Sequence, residues 1–375
     1  MKLIQGKTVI NKYREHTVTV DLKDRSYDIQ IGEGNISRLP VYLENLVTNR
    51  QVAIIAPPPV ADLYLDSVSA CFGNNWNVQK LIIADGETSK TQDAVSAVYT
   101  WLLENHFERG ATIIPLGGGV TGDMAGFVAA TYLRGINLVH VPTSLLAQVD
   151  SSIGGKVGIN HPLGKNLIGA FYQPRLVLTD INFLKTLNDD EYYCGLGEVI
   201  KYGILSPAGI FEKLENNLNE IKNKNISVLS DIVHDCIQIK AEIVKNDEKE
   251  AGIRAFLNLG HTYAHAFETD FKYAGLKHGQ AVILGIRCAV AVSRKLKLIP
   301  DSDAIRIESL LDEFNIHLPR SKKSDRAELL AIMKRDKKTR AGSINLVLPR
   351  KIGEVTVMPV TDESLILESF AAVGL

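Results

Sequence analysis

The sequence predicts an α/β protein with a parallel sheet in its first half and a mainly helical second half. Up to Asp180, short apolar runs rich in β-branched residues alternate with stretches of helical periodicity. This alternation is typical of parallel strands that are covered by helices on both faces. After Asp180 the helical spacing dominates. Because 375 residues are many for a single core, we expect two domains, residues 1–183 and residues 184–375.

The elements of the first half are predicted from their local patterns. From His16 to Gly32, apolar residues recur at every second position on both sides of Asp24-Arg25, which predicts a β-hairpin. Short apolar runs predict buried strands at 52–56, 80–84, 111–114, 137–141 and 176–179. Helical spacing predicts helices at 60–72, 92–107 and 124–130.

In the second half, apolar residues at helical spacing predict a series of helices, at 190–205, 208–223, 227–249, 261–271, 279–296, 302–314 and 326–335. Short strands are expected near 344–348 and 355–357. The change from strands to helices places the domain boundary near 180–186, and a cleft between two such domains is where ligands usually bind.

The charge and the cysteine content exclude several classes of function. The net charge is −1 with both signs mixed along the chain, so we expect no surface for nucleic acid. The four cysteines are far apart and form no C-x-x-C pair, which indicates reduced thiols in a cytoplasmic protein. No signal peptide is recognised in residues 1–7. Arg287 interrupts the most apolar late stretch, residues 281–292, so no membrane partner is expected.

The stretch from Pro115 to Asp123 joins a predicted strand to a predicted helix through a glycine-rich turn. Gly117, Gly119 and Gly122 match the spacing G-x-G-x-x-G, which is a weak signal by itself. Glycine lets a phosphate approach the backbone, and the free N–H groups of a helix N-terminus face such an anion. The turn is therefore a candidate anion site, and the alternative is a tight turn between two core elements.

A second glycine-rich segment, residues 143–172, carries Lys156, Lys165 and Asn166 among few acidic residues. Ammonium and amide groups of this kind hold phosphate or hydroxyl oxygens. We expect a long functional loop here, because loops of this length in a compact domain usually have a function. The alternative is a surface loop with solvated lysines.

The segment from residue 254 to residue 278 contains a candidate metal site. His261 and His265 stand four residues apart on one face of a predicted helix, and Thr262 occupies the place of a zincin's glutamate, which disfavours a metalloprotease. A catalytic zinc needs three protein ligands, often two histidines and a carboxylate. His278 and Glu198 could complete such a set.

Each of these residues also has a plainer interpretation. A histidine is more often a satisfied core or surface residue than a ligand. Asn258 could be the N-cap of the following helix, and Arg254 and Lys240 could be solvated charges.

Taken together, these segments resemble the 3-dehydroquinate synthases, within the sugar-phosphate cyclases. The resemblance extends from about residue 20 to residue 360, and so many motifs in order make it specific. The shared motifs lie at 85–87, 116–123, 132–135, 148–152, 154–158, 161–166, 169–174, 197–203, 240–242, 247–250, 257–261 and 336–338. The resemblance implies a Rossmann-like NAD-binding domain followed by a helical metal- and substrate-binding domain. It also implies a homodimer.

The resemblance further implies a set of site residues. Zinc or cobalt would be held by Glu198, His261 and His278. NAD would be bound by Asp85, Glu87, Lys90, Gly119, Val120, Thr121, Gly122, Asp123, Thr143, Ser144, Lys156, Lys165, Phe183, Leu184, Lys185 and Thr186. The catalytic residues would be Asp150, Lys156, Lys201, Lys240 and His265. The substrate, a sugar-acid phosphate, would contact Arg134 (from the neighbouring subunit), Lys165, Asn166, Arg254, Asn258 and Lys337 or Lys338.

The implied activity is that of a lyase that converts 3-deoxy-D-arabino-heptulosonate 7-phosphate to 3-dehydroquinate and phosphate. Transient oxidation by NAD would be followed by phosphate elimination, reduction, ring opening and aldol closure, so that NAD is not consumed. Three alternatives remain: another sugar-phosphate cyclase, a metal-dependent polyol dehydrogenase, or an inactive NAD-binding protein. One departure from the family is Pro57-Pro-Pro59, which stands where a polar pair is common at the adenine end of the NAD site.

Overall fold

The structure of the protein is a computed structural model that describes residues 15–250, 252–272, 275–319, 324–335, 339–340 and 343–375. The predicted substrate residue Lys337, with its alternative Lys338, lies outside the described residues. Within these ranges, no helix combines the length and the apolar character that crossing a bilayer would require.

The first half is built on a twisted, mostly parallel sheet. Its strands in chain order are β1 His16–Val20, β2 Tyr27–Gly32, β3 Gln51–Ala56, β4 Asn77–Ile82, β5 Thr112–Gly117, β6 Asn137–Pro142 and, after an intervening hairpin of β7 Lys156–His161 and β8 Gly164–Phe171, β9 Leu176–Asp180. The spatial order is β1-β2-β9-β6-β5-β3-β4. β1 and β2 form the predicted antiparallel hairpin, with Val18 opposite Ile29, and the other neighbours in this sheet are parallel.

The central strands are continuous apolar runs because helices cover both of their faces. Ile54 of β3 packs into one core, and its neighbours Ala53 and Ile55 pack into another on the opposite face. The prediction of a buried strand at 80–84 was wrong in position and in burial. β4 begins three residues earlier and is largely exposed or half-buried, because it lies at the edge of the sheet.

The helices of the first half connect these strands. They are α1 Leu39–Glu44, α2 Pro58–Val60, α3 Asp66–Ala70, α4 Gln92–Glu104 and α5 Gly119–Thr131, with a π-helical turn Ala61–Leu65 between α2 and α3. Pro58 and Pro59 occupy the first positions of α2, where a helix leaves its N–H groups without partners. The triple proline is therefore compatible with the fold, but it removes three N–H donors from the turn that follows β3.

The second half is helical, with a small antiparallel sheet near its end. The helices are α6 Asp189–Leu205, α7 Ile210–Asn216, α8 Leu218–Lys222, α9 Ile226–Asn246, α10 His261–Asp270, α11 His278–Lys295, α12 Asp301–Asp312, α13 Arg326–Arg335 and α14 Glu363–Ser369, and the strands are β10 Thr339–Arg340, β11 Ser343–Lys351 and β12 Glu354–Val360. The single helix predicted at 208–223 is divided, since Asn217 leaves helical geometry with φ −126°.

The segment 143–172 is not the long loop that was predicted. Residues 156–171 form the antiparallel hairpin β7–β8, in which Gly158 lies opposite Gly169. A Cβ atom on Gly169 would lie 2.3 Å from the carbonyl oxygen of Val157, so the strands approach too closely for a side chain there. The hairpin packs against α5, where Gly126 makes room for Val157. Glycines that permit close packing were mistaken for glycines of a loop.

The core of the helical half extends into the first hairpin. Val20 of β1 and Ile29 of β2 belong to the same buried cluster as Ile237 of α9 and Ile286 of α11. The residues at the start of the described chain are thus packed against elements that follow residue 200. The division into residues 1–183 and 184–375 stays a prediction.

Candidate active site

The glycine-rich turn lies where β5 passes into α5 in the middle of the sheet. The helix begins at Gly119, five residues earlier than predicted, so that Gly119 and Gly122 are part of its first turn. The Thr143 N–H donates to the carbonyl of Gly117 at 3.0 Å. A Cβ atom on Gly119 would lie 3.0 Å from Ser151 Oγ. The turn is therefore closely supported by the segment that follows β6, and its backbone is left uncovered by side chains of its own.

A buried lysine connects this turn to the β7–β8 hairpin. Lys90 is 2% exposed, and its Nζ donates to Asp123 Oδ2 in α5 and to Asn166 Oδ1 in the hairpin. Burial raises the pKa of Asp123, and Lys90 offsets only part of this effect. Asn160 Nδ2 donates to Glu87 Oε1 at 2.7 Å. Three predicted NAD residues, Glu87, Lys90 and Asp123, thus share one network with the predicted substrate residue Asn166.

The other predicted NAD residues lie in varied surroundings. Thr121, Thr143 and Ser144 are buried beside the turn, whereas Val120 is partly exposed. Phe183 and Leu184 are buried in the core, while Asp85, Lys185 and Thr186 are exposed. Their role in NAD binding stays a prediction.

Two helices that touch along their backbones position the candidate metal ligands. Glu198 lies on α6, and His278 is the first residue of α11. Gly197 and Gly279 face each other where the helices meet, and a Cβ atom on Gly279 would lie 1.7 Å from the carbonyl oxygen of Cys194. Only glycine fits at this contact. The helix axes can therefore approach closely enough for Glu198 and His278 to meet.

His261 is brought to the same point by a left-handed turn. Gly260 precedes α10 with φ +78°, and His261 is the first residue of that helix. The proposed N-cap role of Asn258 is wrong, since Gly260 occupies the cap position. The positive φ favours glycine, because other residues rarely adopt this conformation.

The three side chains converge on one buried carboxylate oxygen. Glu198 is fully buried, and its Oε1 lies 3.5 Å from His261 Nε2 and 3.7 Å from His278 Nε2. One potential ligand atom from each residue lies within 4.8 Å of the others. Oε1 accepts no hydrogen bond from the described residues. A buried carboxylate oxygen without a donor is costly, and a divalent cation bound by the two imidazoles would satisfy it.

The outer hydrogen bonds of the two histidines direct their inner nitrogens toward this point. His261 Nδ1 lies 3.1 Å from the carbonyl oxygen of Leu259, and His278 Nδ1 lies 3.4 Å from both carboxylate oxygens of Glu268. These oxygens only accept, so each Nδ1 carries the proton and each Nε2 keeps its lone pair. This is the tautomer that a metal requires, and the donor set fits zinc or cobalt.

The electrostatic surroundings of these ligands favour positive charge. Burial would lower the pKa of His278, but Glu268 and Glu198 outweigh it and the pKa is raised. Burial would raise the pKa of Glu268, yet His278 and Lys165 lower it to about 2. The two buried carboxylates, Glu198 and Glu268, therefore favour the binding of a cation at this site.

A lysine-rich cluster adjoins the three candidate metal ligands Glu198, His261 and His278, which we call the triad. Lys201, one turn after Glu198 on α6, forms an ion pair with Glu198 Oε2. Asp150 Oδ1 accepts from Lys240 Nζ at 2.7 Å and from the Tyr202 hydroxyl at 2.9 Å. Burial would raise the pKa of Asp150, but Lys240 and Lys201 hold it well below its usual range. Asp150 also precedes Ser151, which borders the glycine turn, so the turn and the triad belong to one continuous site.

Burial lowers the pKa of Lys240 to about 8, although Asp150 acts in the opposite direction. If the charged Lys240–Asp150 pair is needed for substrate binding, kcat/KM should decrease as the pH rises through about 8. In the variant Asp150→Asn the charge that raises the pKa of Lys240 is lost. The decrease of kcat/KM should therefore begin at a lower pH. The pH profile of kcat/KM for both proteins provides the test.

Asp66→Asn is the matched control for this prediction, because Asp66 is an exposed acid on α3 and its removal should leave the profile unchanged. If kcat/KM of Asp150→Asn decreases at the same pH as that of the original chain, a group other than Lys240 is responsible for the decrease.

The chain matches known proteins over most of its length. Residues 80–194 match the family model described as 3-dehydroquinate synthase N-terminal, and residues 195–339 match the corresponding C-terminal model. A curated relative from Shewanella halifaxensis, named 3-dehydroquinate synthase, is 44% identical over 352 residues, which are 93% of this chain and 97% of that protein. The chain belongs to the 3-dehydroquinate synthase family.

Two further similarities agree with this assignment. A relative of the same name from Hydrogenovibrio crunogenus is 43% identical over 341 residues, covering 91% of this chain and 95% of that protein. A crystal structure of 2-deoxy-scyllo-inosose synthase complexed with carbaglucose-6-phosphate, NAD+ and Co2+ has a TM-score of 0.87 and 26% identity, covering 95% of this chain and 99% of that one. The predicted α/β fold with a helical second part is confirmed.

In this member of the 3-dehydroquinate synthase family, Arg254 is more deeply buried than sequence analysis suggested. The residue is 2% exposed. Its guanidinium donates to the carbonyl of Glu248 at 2.5 Å and more weakly to that of Gly154 at 3.4 Å. Its Nε is buried and has no hydrogen-bond partner among the described residues. Arg254 is therefore not a solvated charge, and Lys240, which is also buried, is not one either.

Sequence reasoning missed the residues that hold the predicted ones in place. Glu250 forms an ion pair with Lys156 and accepts from Asn258 Nδ2 at 3.4 Å, and Tyr202 donates to Asp150. Glu250 and Tyr202 lie within motifs of the 3-dehydroquinate synthase family, so a signal for them was present. Glu268 carries no comparable signal, because only the fold brings it to His278.

The remaining predicted residues differ in their distance from the triad. The His265 ring centroid lies 5.9 Å from that of His261 and 6.5 Å from that of His278, so the structure brings His265 to the site. Lys165 approaches the same region through Glu268. Arg134 is exposed just beyond α5, where it adopts a positive φ of 70°. Among the described residues, no hydrogen bond or ion pair joins Arg134 to another site residue.

Proposed function

We propose that this member of the 3-dehydroquinate synthase family converts 3-deoxy-D-arabino-heptulosonate 7-phosphate to 3-dehydroquinate and phosphate, with NAD and a divalent metal as cofactors. The observation that carries the proposal is the contact between the triad and the lysine-rich cluster, through the Glu198–Lys201 ion pair. A simple alcohol dehydrogenase needs a metal site but has no anionic phosphate substrate to neutralise. The buried lysines beside the triad indicate a substrate that carries several negative charges.

We propose Glu198, His261 and His278 as the metal ligands, and the glycine turn at residues 117–122 as the pyrophosphate cradle of NAD. When bound, the metal supplies Lewis-acid chemistry at a substrate hydroxyl, and NAD supplies reversible hydride transfer. The Leu259 carbonyl and Glu268 keep the two imidazoles in the tautomer that leaves Nε2 able to coordinate. The turn presents backbone N–H groups without side chains that would block a phosphate.

The roles of the cluster residues follow from charge and burial. Lys240 and Lys201 are held beside Asp150 in a nearly dry environment, where a charge interacts more strongly than in water. They would hold anionic oxygens of the substrate, while Asp150 orients the ammonium group of Lys240 and Glu198 orients that of Lys201. His265 would position the substrate phosphate with Lys165 and Asn166. Since a leaving phosphate can serve as its own base, no single protein base is required by this scheme.

We propose that Arg254 recognises the substrate carboxylate, because its Nε is buried without a partner and a planar guanidinium suits a carboxylate. Arg254→Ala is then expected to raise the KM for the substrate about 10- to 100-fold, since a charged hydrogen bond is worth about 1.5–3 kcal/mol. The Kd for NAD should hardly change. Steady-state kinetics and NAD fluorescence titration measure the two quantities.

Arg254→Lys separates the loss of this contact from the loss of buried volume. Lysine fills most of the space and keeps the charge, but it lacks the planar guanidinium that can donate two parallel hydrogen bonds to a carboxylate. It should also raise KM. Arg306→Ala, which removes an arginine that α12 directs toward Glu215 at the surface, is the control. Equal KM values for the Arg254→Lys variant and the original chain would contradict a role in carboxylate recognition.

The activity can be tested directly with the purified chain. Incubation with the seven-carbon phosphate, Zn2+ and a trace of NAD should release phosphate and form 3-dehydroquinate in equal amounts, over many turnovers for each NAD. NADH should not accumulate, because the hydride returns to the substrate.

Glucose 6-phosphate, which lacks a carboxylate, is the matched control substrate and should not be turned over. Net accumulation of NADH would indicate a dehydrogenase. Turnover of glucose 6-phosphate alone would indicate a different sugar-phosphate cyclase.

We also propose that the chain acts as a homodimer in which Arg134 completes the partner's site. Two observations support an interface near this residue. Arg134 is exposed at the end of α5, against which the β7–β8 hairpin packs. The hairpin itself presents exposed apolar side chains, with Leu163 at 85%, Phe171 at 45% and Leu167 at 43% exposure. Apolar groups clustered in this way are typical of a surface that another protein covers.

Mixing two inactive variants tests this arrangement. In a heterodimer of Arg134→Ala and His261→Ala, one site would combine an intact triad with an intact Arg134. Random exchange of subunits should then restore about a quarter of the original activity. Mass spectrometry of the mixture shows whether the subunits have exchanged. If they have exchanged and no activity returns, Arg134 does not act across an interface.

A cytoplasmic location is proposed as well. Cys71, Cys194, Cys236 and Cys288 are all free thiols in the structure, and free buried cysteines are typical of a reducing compartment.

A further inference from the structure

Glu268 is a buried carboxylate beside the triad to which sequence analysis gave no role. It lies on α10, two turns after His261, and is 4% exposed. Both of its oxygens lie 3.4 Å from His278 Nδ1. Its Oε1 also lies 3.6 Å from Lys165 Nζ, on the β7–β8 hairpin. One carboxylate thus contacts a candidate metal ligand and a candidate phosphate-binding lysine.

The two histidines of the triad differ in what holds their outer nitrogen. His261 donates to a backbone carbonyl only two residues away, so its orientation is fixed by the local turn. His278 is the first residue of α11 and relies on a side chain from another helix. A charged acceptor orients the imidazole and increases the electron density on Nε2, which strengthens its bond to a metal.

We infer that Glu268 is a positioning residue that fixes the tautomer and the orientation of His278 and links this ligand to Lys165 of the hairpin. The inference rests on the proposed metal centre. It assigns the metal affinity partly to a residue that touches neither metal nor substrate. It also gives a physical connection between the hairpin and the metal ligands, because Glu268 cannot leave His278 without also changing its contact with Lys165.

The plainer role for Glu268 is to neutralise Lys165, and the two roles predict different results. If Glu268 only balances that lysine, its removal should alter substrate binding and leave the affinity for metal unchanged. If it positions His278, its removal should weaken the binding of metal in the absence of any substrate. The deciding measurement is therefore made without substrate.

Glu268→Gln keeps the size of the side chain and removes its charge. The apo protein is titrated with Zn2+ against a chromophoric chelator, and with Co2+ while the visible d–d absorption is recorded. We expect the Kd for Zn2+ to rise about 10- to 100-fold, as is usual when the outer partner of a metal-bound histidine is mutated, because an uncharged amide oxygen is a weaker acceptor than a carboxylate. The Co2+ spectrum should change in shape, because the ligand geometry is altered.

Two control variants distinguish the possible causes. Asp270→Asn changes another buried acid on α10, which accepts from Ser324 Oγ at 2.6 Å, and it should bind Zn2+ like the original chain. Lys165→Met removes the ion pair of Glu268 but not its contact with His278. The Kd of this variant for Zn2+ should stay within about twofold, since the lysine is partly solvated and the ion pair is long, at 3.6 Å.

An unchanged Kd for Zn2+ in folded Glu268→Gln would overturn the inference. If Glu268→Gln does not yield folded protein by circular dichroism, Glu268→Asp provides the same test, because it keeps the charge but withdraws it from Nδ1. Its Kd should also rise, and an unchanged value would again overturn the inference. Failure of the original chain to bind any metal would instead contradict the proposed metal centre.

Discussion

Replacing His261 by alanine is expected to lower kcat about 1,000-fold or more and to abolish stoichiometric binding of zinc. The expectation follows from the geometry of the triad. His261 Nε2 and His278 Nε2 lie 3.5 Å and 3.7 Å from one buried oxygen of Glu198, and two remaining ligands do not hold a catalytic metal firmly. A bound metal contributes several kcal/mol of charge stabilisation, which corresponds to a factor of this size.

The fold should survive this change, because His261 is partly exposed at the start of α10 and its outer contact is local. Metal content after dialysis, kcat and the thermal unfolding midpoint are the measurements. His317→Ala, at an exposed position after α12, controls for the loss of a histidine. Near-normal activity of His261→Ala in protein that holds no metal would show that the triad has been assigned wrongly.

Replacing Gly279 by alanine is expected to damage both stability and metal binding, although the change adds a single methyl group. The new Cβ atom would lie 1.7 Å from the carbonyl oxygen of Cys194, so α6 and α11 would have to separate. Overpacking of this kind usually costs about 1–3 kcal/mol or more. Glu198 and His278 lie on these two helices, and the separation should therefore weaken zinc binding at least about tenfold.

Chemical unfolding of the apo protein and a zinc titration measure the two effects separately. Gly73→Ala is the matched control, since a Cβ atom there would meet only Asn75 Oδ1, at 3.3 Å. A variant Gly279→Ala that is as stable as the control and binds zinc normally would show that the two helices have room to move apart. The closeness of the helices would then not be what defines the triad.

The two predictions depend on sequence information of different kinds. His261 stood out because it lies four residues before His265 on one face of a predicted helix, in a motif shared with a family. Gly279 carried no signal about its neighbour. Gly279 faces Gly197 and Cys194 because two helices pack together. The residues in contact are about 80 positions apart in the chain, and the local side-chain pattern does not predict which distant residues meet.

The same distinction explains the errors of sequence analysis. The edge strand β4 was expected to be buried, because an apolar run does not reveal whether a neighbour lies on each side. The glycines of β7 and β8 were interpreted as a loop, although Gly158 and Gly169 are opposite each other in a hairpin that passes close to α5. In both cases the burial or the conformation depends on which segments lie alongside, and these segments are elsewhere in the chain.

The fold class and the glycine turn follow from periodicity and residue type, which are local, and the candidate site residues come from the resemblance to a family. Which of those residues meet depends on the tertiary structure. It brings one oxygen of Glu198 close to two imidazoles, Lys240 and Tyr202 to Asp150, and Glu268 to His278. Such contacts join segments far apart in sequence, and their energies depend on burial and distance, which exist only once the helices have packed.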